Sequence, residues 1–366
     1  MVEKVTSIAL HVALTTILLV ASLVMSDDTA PAPADKSQLD NWFNSIVKPY
    51  TQRAATLDPA LVAAENSSKV IKVSKTGGGN FNTVSDAIKS IPPGNTKRVI
   101  VHIGPGVYDE RIRIDWTKPF VTFYGSPANM PTLTSSGTAA QYGTDDSATL
   151  VVESNYFVAA NIILVNSAPR PGNGKSGGQA LAMRIAGDKA AFYNCKFKGF
   201  QDTVCSDHGN HLVKNCYIEG TVDFIFGSGT SLYLNTVLNV PGDGGFTAIT
   251  AHGELPSETN GFSFVHCSVT GTGNGTYLGR AWRPYSRVIY SYTTMSGIVN
   301  PLGWSDNSHP ERDRTVYYGE YKCSGPGSDL SRRVPYTKKL SDNEARPFLA
   351  LHFIQASSWL LPPPTL

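Results

Sequence analysis

From Val70 onward the chain is built of short apolar bursts. Alternation as in Val70-Ile71-Lys72-Val73 gives way to Gly, Asn and Asp, and then another β-branched run begins. This is the pattern of strands a few residues long joined by tight turns. Helical periodicity is confined to three places. Residues 38–64 are amphipathic, Thr83 to Ser90 reads as a helix, and Ser341 with Glu344 forms a capping box opening a segment that contains Phe348, Leu349, Leu351 and Phe353. The expectation is a mainly β body with short helices packed on its coils.

The strands repeat. Phe192-Tyr193-Asn194-Cys195-Lys196-Phe197-Lys198-Gly199 aligns with Leu212-Val213-Lys214-Asn215-Cys216-Tyr217-Ile218-Glu219-Gly220 at a spacing of about 21 residues, with weaker echoes at Asn161, Asn235 and His266-Cys267. One such unit suits one coil of a parallel β-solenoid, with aliphatic residues inward and Asn or Gly at the corners. An antiparallel sandwich also has short strands, but it gives no reason for Asn, Cys and Gly to recur at one offset.

Composition narrows the class. With 366 residues, 33 Gly, 23 Pro and only 16% charged side chains, the chain is neither a disordered tail nor a helical bundle. Its net charge of +2 is too weak to mark a nucleic-acid groove, yet does not repel a polyanion. Residues 1–26, with Lys4 ahead of an apolar run and small residues near Ser26, read as a secretory signal peptide. A membrane anchor is the rival reading, and no later segment is apolar enough to span a bilayer. Residues 27–69 are expected to form an N-terminal arm, starting as an extended Ala/Pro/Asp linker, and 70–366 the main body. Sequons at Asn66 and Asn274 suit export.

Five cysteines are an odd number for an oxidising compartment, so at least one is free or pairs outside the chain. None lies in C-x-x-C, and His208 and His211, three apart, lack a third ligand nearby, so no metal or other cofactor is expected. Gly174-Lys175-Ser176-Gly177-Gly178 matches a nucleophile-elbow string, but within a Pro-Gly-Asn loop it is a chance match.

The repeat also places two carboxylates in register. Asp202 and Asp223 are 21 apart and should be stacked neighbours about 4.8 Å apart between adjacent strands. Two carboxylates so close cannot both ionise freely, so one pKa should rise and the other stay low, giving one acid and one nucleophile or base. Phe224, Ile225 and Phe226 would limit solvation of Asp223. Gln201 and Gln179 are neutral amide donors of the kind a developing oxyanion needs. Arg280 could keep the attacking Asp ionised, and Trp282 offers a face for a sugar ring.

With these residues in place the chain resembles the plant pectin methylesterases. The blocks that carry the resemblance are Gly106-Val107-Tyr108-Asp109-Glu110, Gln179-Ala180-Leu181-Ala182-Met183, Gly199-Phe200-Gln201-Asp202-Thr203-Val204, Asp223-Phe224-Ile225-Phe226-Gly227 and Leu278-Gly279-Arg280-Ala281-Trp282, within residues 70–361. The resemblance implies a right-handed parallel β-helix that removes methyl esters from polygalacturonan without a metal. It implies Asp223 as nucleophile, Asp202 as acid and then base, Gln179 and Gln201 as oxyanion donors, Arg280 as partner of the nucleophile, and Trp282, Thr144 and Trp304 as substrate contacts. It further implies a secreted, monomeric enzyme of the cell wall, with methyl-esterified homogalacturonan as substrate and a proteinaceous pectinesterase inhibitor as a partner.

The departures concern the edges of the site. Thr203-Val204-Cys205 lacks an aromatic that many members carry, Ala281 replaces a frequent Pro and should loosen that turn, and the second Trp often seen after Gly303-Trp304 is absent. The inhibitor-like pro-region of many plant members is not expected, since about 40 residues between signal and body cannot form it. Two rival functions remain. A retaining glycosidase would use a similar carboxylate pair but has no use for amides aimed at a carbonyl oxygen. A non-catalytic wall-binding solenoid would be expected to have lost a carboxylate or the Arg.

Overall fold

The computed structural model describes residues 28–172, 176–242, 245–253 and 259–366. The signal segment 1–26, and Gly174-Lys175 of the elbow-like string, lie outside the described residues. Three parallel sheets of eleven, eight and eight strands carry the body, and between its first and last strand pairs successive strands of the chain fall to different sheets. The result is a parallel β-helix.

The repeat appears directly as strand pairing. Val204 pairs with Met183 on one side and Ile225 on the other in the second sheet. In the first sheet Phe192 pairs with Val213, and in the third Phe197 pairs with Ile218. The Asn of each repeat sits at a corner with positive φ, at Asn161, Asn194, Asn215 and Asn235. Asn tolerates this left-handed conformation better than most residues. Its amide also ties coil to coil, with Asn194 donating to Asn161 at 2.9 Å and Asn235 to Asn215 at 2.8 Å. The residue after each corner turns inward, which places Cys195, Cys216 and Cys267 in the core. All five cysteines are free thiols. Further along, Tyr233, Phe264 and Tyr290 stack at centroid distances of 4.5 and 4.6 Å, continuing the ladder with aromatic rings.

The expected helices form. Val84–Lys89 is capped by Thr83, whose hydroxyl accepts from the Asp86 N–H, and Asp342–Leu349 carries the Ser341/Glu344 capping box. In the arm, Leu39–Ile46, Tyr50–Arg53 and Pro59–Glu65 are helical. The linker expected at the start of the arm is instead pinned, because the Ala32 N–H donates to Leu349 O at 3.0 Å. Leu39, Phe43, Leu57 and Leu61 pack with Leu212, Leu232 and Ile289 of the first sheet and with Leu351, Ile354 and Leu360. The buried Arg53 guanidinium fastens the arm by donating to the Leu360 and Ser357 carbonyls. Both sequon asparagines, Asn66 and Asn274, are exposed. Among the described residues no helix is long and apolar enough to cross a membrane.

Phe43 is 1% exposed and meets Tyr193 edge-on. Phe43→Ala should therefore cost about 3–5 kcal/mol, read as a lower denaturant midpoint. An unchanged midpoint would show that the arm adds nothing to the body's stability.

Candidate active site

Both aspartates lie where the third sheet hands the chain to the second. Asp202 precedes the strand Val204–Ser206, and Asp223 lies within the strand Val222–Gly227, whose pairing with Ala248–His252 shifts register between Val222 and Ile225. Each has positive φ, 64° for Asp202 and 50° for Asp223. That left-handed twist is uncommon for a residue with a side chain, and it lets each coil re-aim its carboxyl out of the regular alternation. The coils are locked to each other here, as the Asp202 N–H donates to Val222 O at 3.0 Å.

Arg280 ends the strand Tyr277–Arg280 and grips Asp223 from two coils further along. Its Nε lies 2.7 Å from Oδ1 and 3.0 Å from Oδ2, and its Nη2 donates to Oδ2. Such a forked, charge-assisted contact fixes the carboxylate plane as well as its charge. Among the described residues no cation forks onto Asp202 in this way. Burial, reinforced by the neighbouring Asp223 charge, holds its carboxyl well above the usual carboxylate range. Asp223 departs from the expectation that one carboxyl would stay low. Burial raises it too, and the Arg280 guanidinium opposes that rise. Asp202 therefore keeps its proton to higher pH than Asp223, and the pair is split by one cation rather than by mutual repulsion alone.

The two carboxyls, Thr144, Gln179, Gln201, Phe226, Ala251, Arg280 and Trp282 line one cleft of about 250 Å³. The two glutamines come from hydrogen-bonded neighbouring segments, with the Ala180 N–H donating to Gln201 O at 3.2 Å. The Gln179 Oε1 is buried and meets no protein donor. Of the three apolar residues after Asp223, Phe226 lines the cleft, while Phe224 and Ile225 sit in the core behind it. Trp282 is half exposed at the rim.

Trp304 is not a substrate contact. It is 1% exposed, stacks on Tyr318 at 4.3 Å and donates its Nε1–H to Glu320 at 3.1 Å. It forms the floor under the arginine strand instead. A Cβ on Gly279 would come within 2.3 Å of Thr250 Oγ1 and 3.2 Å of the Trp304 ring, so only glycine lets that strand settle. Nor does Ala281 loosen its turn, because its N–H, which a proline would lack, donates to Ser305 O at 2.9 Å. His211 is buried, with its ring nitrogens bonded to Ser206 and Gly187. Among the described residues no cluster of His, Cys, Asp and Glu could hold a metal ion.

Two neighbours of Arg280 were not anticipated. The exposed Phe246 ring lies 5.4 Å from the guanidinium carbon, much as Trp282 does at 5.2 Å. Asn307 accepts from Nη1 at 3.0 Å. Phe246 follows Pro241-Gly242-Asp243-Gly244-Gly245, where the sequence has no repeat to index it. Asn307 lies in Ser305-Asp306-Asn307-Ser308, which belongs to none of the blocks or repeats read from the sequence.

A parallel β-helix with paired aspartates, amides and a guanidinium in one cleft defines a class of carbohydrate-active esterases, and the comparisons place the chain within it. Residues 70–357 match the Pectinesterase family profile, and the chain belongs to that family. It is 55% identical to "Probable pectinesterase 50" of Arabidopsis thaliana, covering 95% of this chain and 96% of that one. It is 52% identical to "Pectinesterase 2" of Olea europaea over 97% and 98% of the two chains. The pectin methylesterase from carrot superposes with a TM-score of 0.74 at 30% identity, over 79% of this chain and 94% of that one.

Removing the guanidinium leaves burial unopposed at Asp223. Arg280→Ala should thus move the acid limb of kcat/KM to higher pH and lower its plateau about 100-fold or more; an unmoved limb would separate Arg280 from the titration. At Asp202 the linkage bears on stability. A carboxyl whose pKa is raised on folding favours the native state below its unfolded pKa, and that advantage is lost as pH climbs through the folded value. Asp202→Asn, which has no charge to desolvate and tolerates positive φ, should raise Tm by roughly 2–4 °C at alkaline pH and by less near pH 5.

Proposed function

We propose that this cleft hydrolyses the methyl esters of polygalacturonan, releasing methanol and leaving the glycosidic chain intact. The observation that carries this reading is the Arg280 fork on Asp223 beside a proton-retaining Asp202 and two glutamine amides. With Asp202 neutral and Asp223 offset by Arg280, the cleft has little net charge. It therefore admits an uncharged ester and disfavours the carboxylate product.

An Asp223 carboxylate oxygen attacks the ester carbonyl carbon, and the amides of Gln179 and Gln201 take the developing oxyanion. The bond to the methoxy oxygen breaks as Asp202 delivers its proton, and methanol leaves. Galacturonyl and Asp223 are now joined as an anhydride. Asp202, ionised by the first step, takes a proton from water while the hydroxyl adds to the sugar acyl carbon. The anhydride bond breaks, Asp223 returns as carboxylate, Asp202 keeps the proton it took from water, and the new galacturonic acid loses its proton to solvent. Trp282 supports a sugar ring at the rim, and Thr144, which lines the same cleft, contacts substrate.

Kinship with plant pectinesterases such as that of Arabidopsis thaliana supports the plant cell wall as the setting of this activity. The finer reading is that the chain is exported by residues 1–26, works as a monomer on methyl-esterified homogalacturonan, and is restrained by a proteinaceous pectinesterase inhibitor. The body from residue 70 to 366 acts as the catalytic unit.

Incubation with highly methylated pectin should release methanol without new reducing ends. Asp223→Asn should lower that rate by at least about 1,000-fold while pectin still binds. Reducing ends without methanol would establish a glycosidase instead, and unchanged turnover in Asp223→Asn would remove Asp223 from the chemistry.

A further inference from the structure

We infer that Asn307 is a positioning residue for this reaction, acting through Arg280 as part of a brace between the second sheet's last two coils. The inference rests on the mechanism proposed above, in which Arg280 orients Asp223 for attack. Arg280 uses Nε and Nη2 on Asp223, which leaves Nη1 as the one nitrogen able to fix the guanidinium's swing about its own fork. Asn307 Oδ1 occupies it at 3.0 Å. A neutral amide oxygen suits that place, because a carboxylate there would compete with Asp223 for the same cation.

The local backbone is arranged around that contact. Asn307 and Ser308 both have φ of 60°, a conformation that costs a non-glycine residue free energy and persists only where its surroundings enforce it. The enforcing bonds are present. The Asn307 N–H donates to Ser305 Oγ at 3.1 Å, and the Ser308 N–H donates to Asp306 Oδ1 at 2.9 Å. Ser305 is itself tied to the residue after Arg280 by the Ala281 N–H. The chain thus runs from Arg280 to Ala281, across to Ser305, on to Asn307 and back to Arg280, closing a ring. Ala281, standing where a proline is frequent, provides the N–H that closes this ring.

The test is a kcat-against-KM comparison on methylated pectin, read as methanol. Asn307→Gly keeps the left-handed backbone and deletes the amide. It should lower kcat about tenfold with KM within twofold, whereas Ser308→Gly, which relaxes the same loop, should leave both unchanged. In an Arg280→Ala background, Asn307→Gly should cost nothing further, because the partner through which it acts is gone. Full kcat in Asn307→Gly, an equal loss in Ser308→Gly, or a full additional loss in the Arg280→Ala background would each overturn the inference. Absence of methanol from the unaltered enzyme would instead defeat the underlying mechanism, so the two failures are distinguishable.

Discussion

Every coil of this protein must present its backbone to the coils on either side in the same register, and the rest of the structure follows from that constraint. Parallel pairing satisfies buried N–H and C=O groups only if successive turns are nearly superposable. The chain meets the requirement with left-handed corner asparagines, an inward cysteine, threonine or aliphatic residue after each, and aromatic rings that stack where the coils need more volume. Chemistry at one level is thereby placed directly against chemistry at the next. Asp202, Asp223 and Arg280 belong to different coils, and the ladder sets their spacing.

Such stacking would make two buried carboxyls a liability without an asymmetric partner. Arg280 supplies the asymmetry by forking onto Asp223 alone, and burial then leaves Asp202 as the group that holds a proton. Trp304 and Glu320 extend the arrangement downward. Glu320 is buried, bonded to Arg333 at 2.7 and 3.0 Å, and accepts from the Trp304 indole that supports Gly279. The Arg280 guanidinium thus stands on an aromatic floor anchored by a second ion pair whose side chains are buried.

What repeated in the sequence was legible, and what did not repeat was not. The Asn-Cys offset gave the coil, and the coil gave the juxtaposition of Asp202 with Asp223. The family blocks carried Gln179, Gln201, Arg280 and Trp282, all of which converge on one cleft. Trp304 was misread because a tryptophan beside the arginine strand looks the same in sequence whether its ring faces sugar or core; only the stacking of Tyr318 beneath it decides. The Ala281 turn was misjudged because propensity describes a residue's own freedom and not the carbonyl across the gap. Nothing in the composition of the arm's start disclosed the helix end more than 300 positions away that pins it.

That distant partnership bears on how the molecule is made. The arm emerges early from the ribosome, yet the carbonyls that hold Ala32 and Arg53 belong to Leu349, Ser357 and Leu360. Throughout synthesis of the intervening coils, Phe43, Leu61 and the flank they cover have no lid, and the solenoid can be wound before it can be sealed. The clasp between the arm and the end of the body therefore cannot close until that last segment has been synthesised.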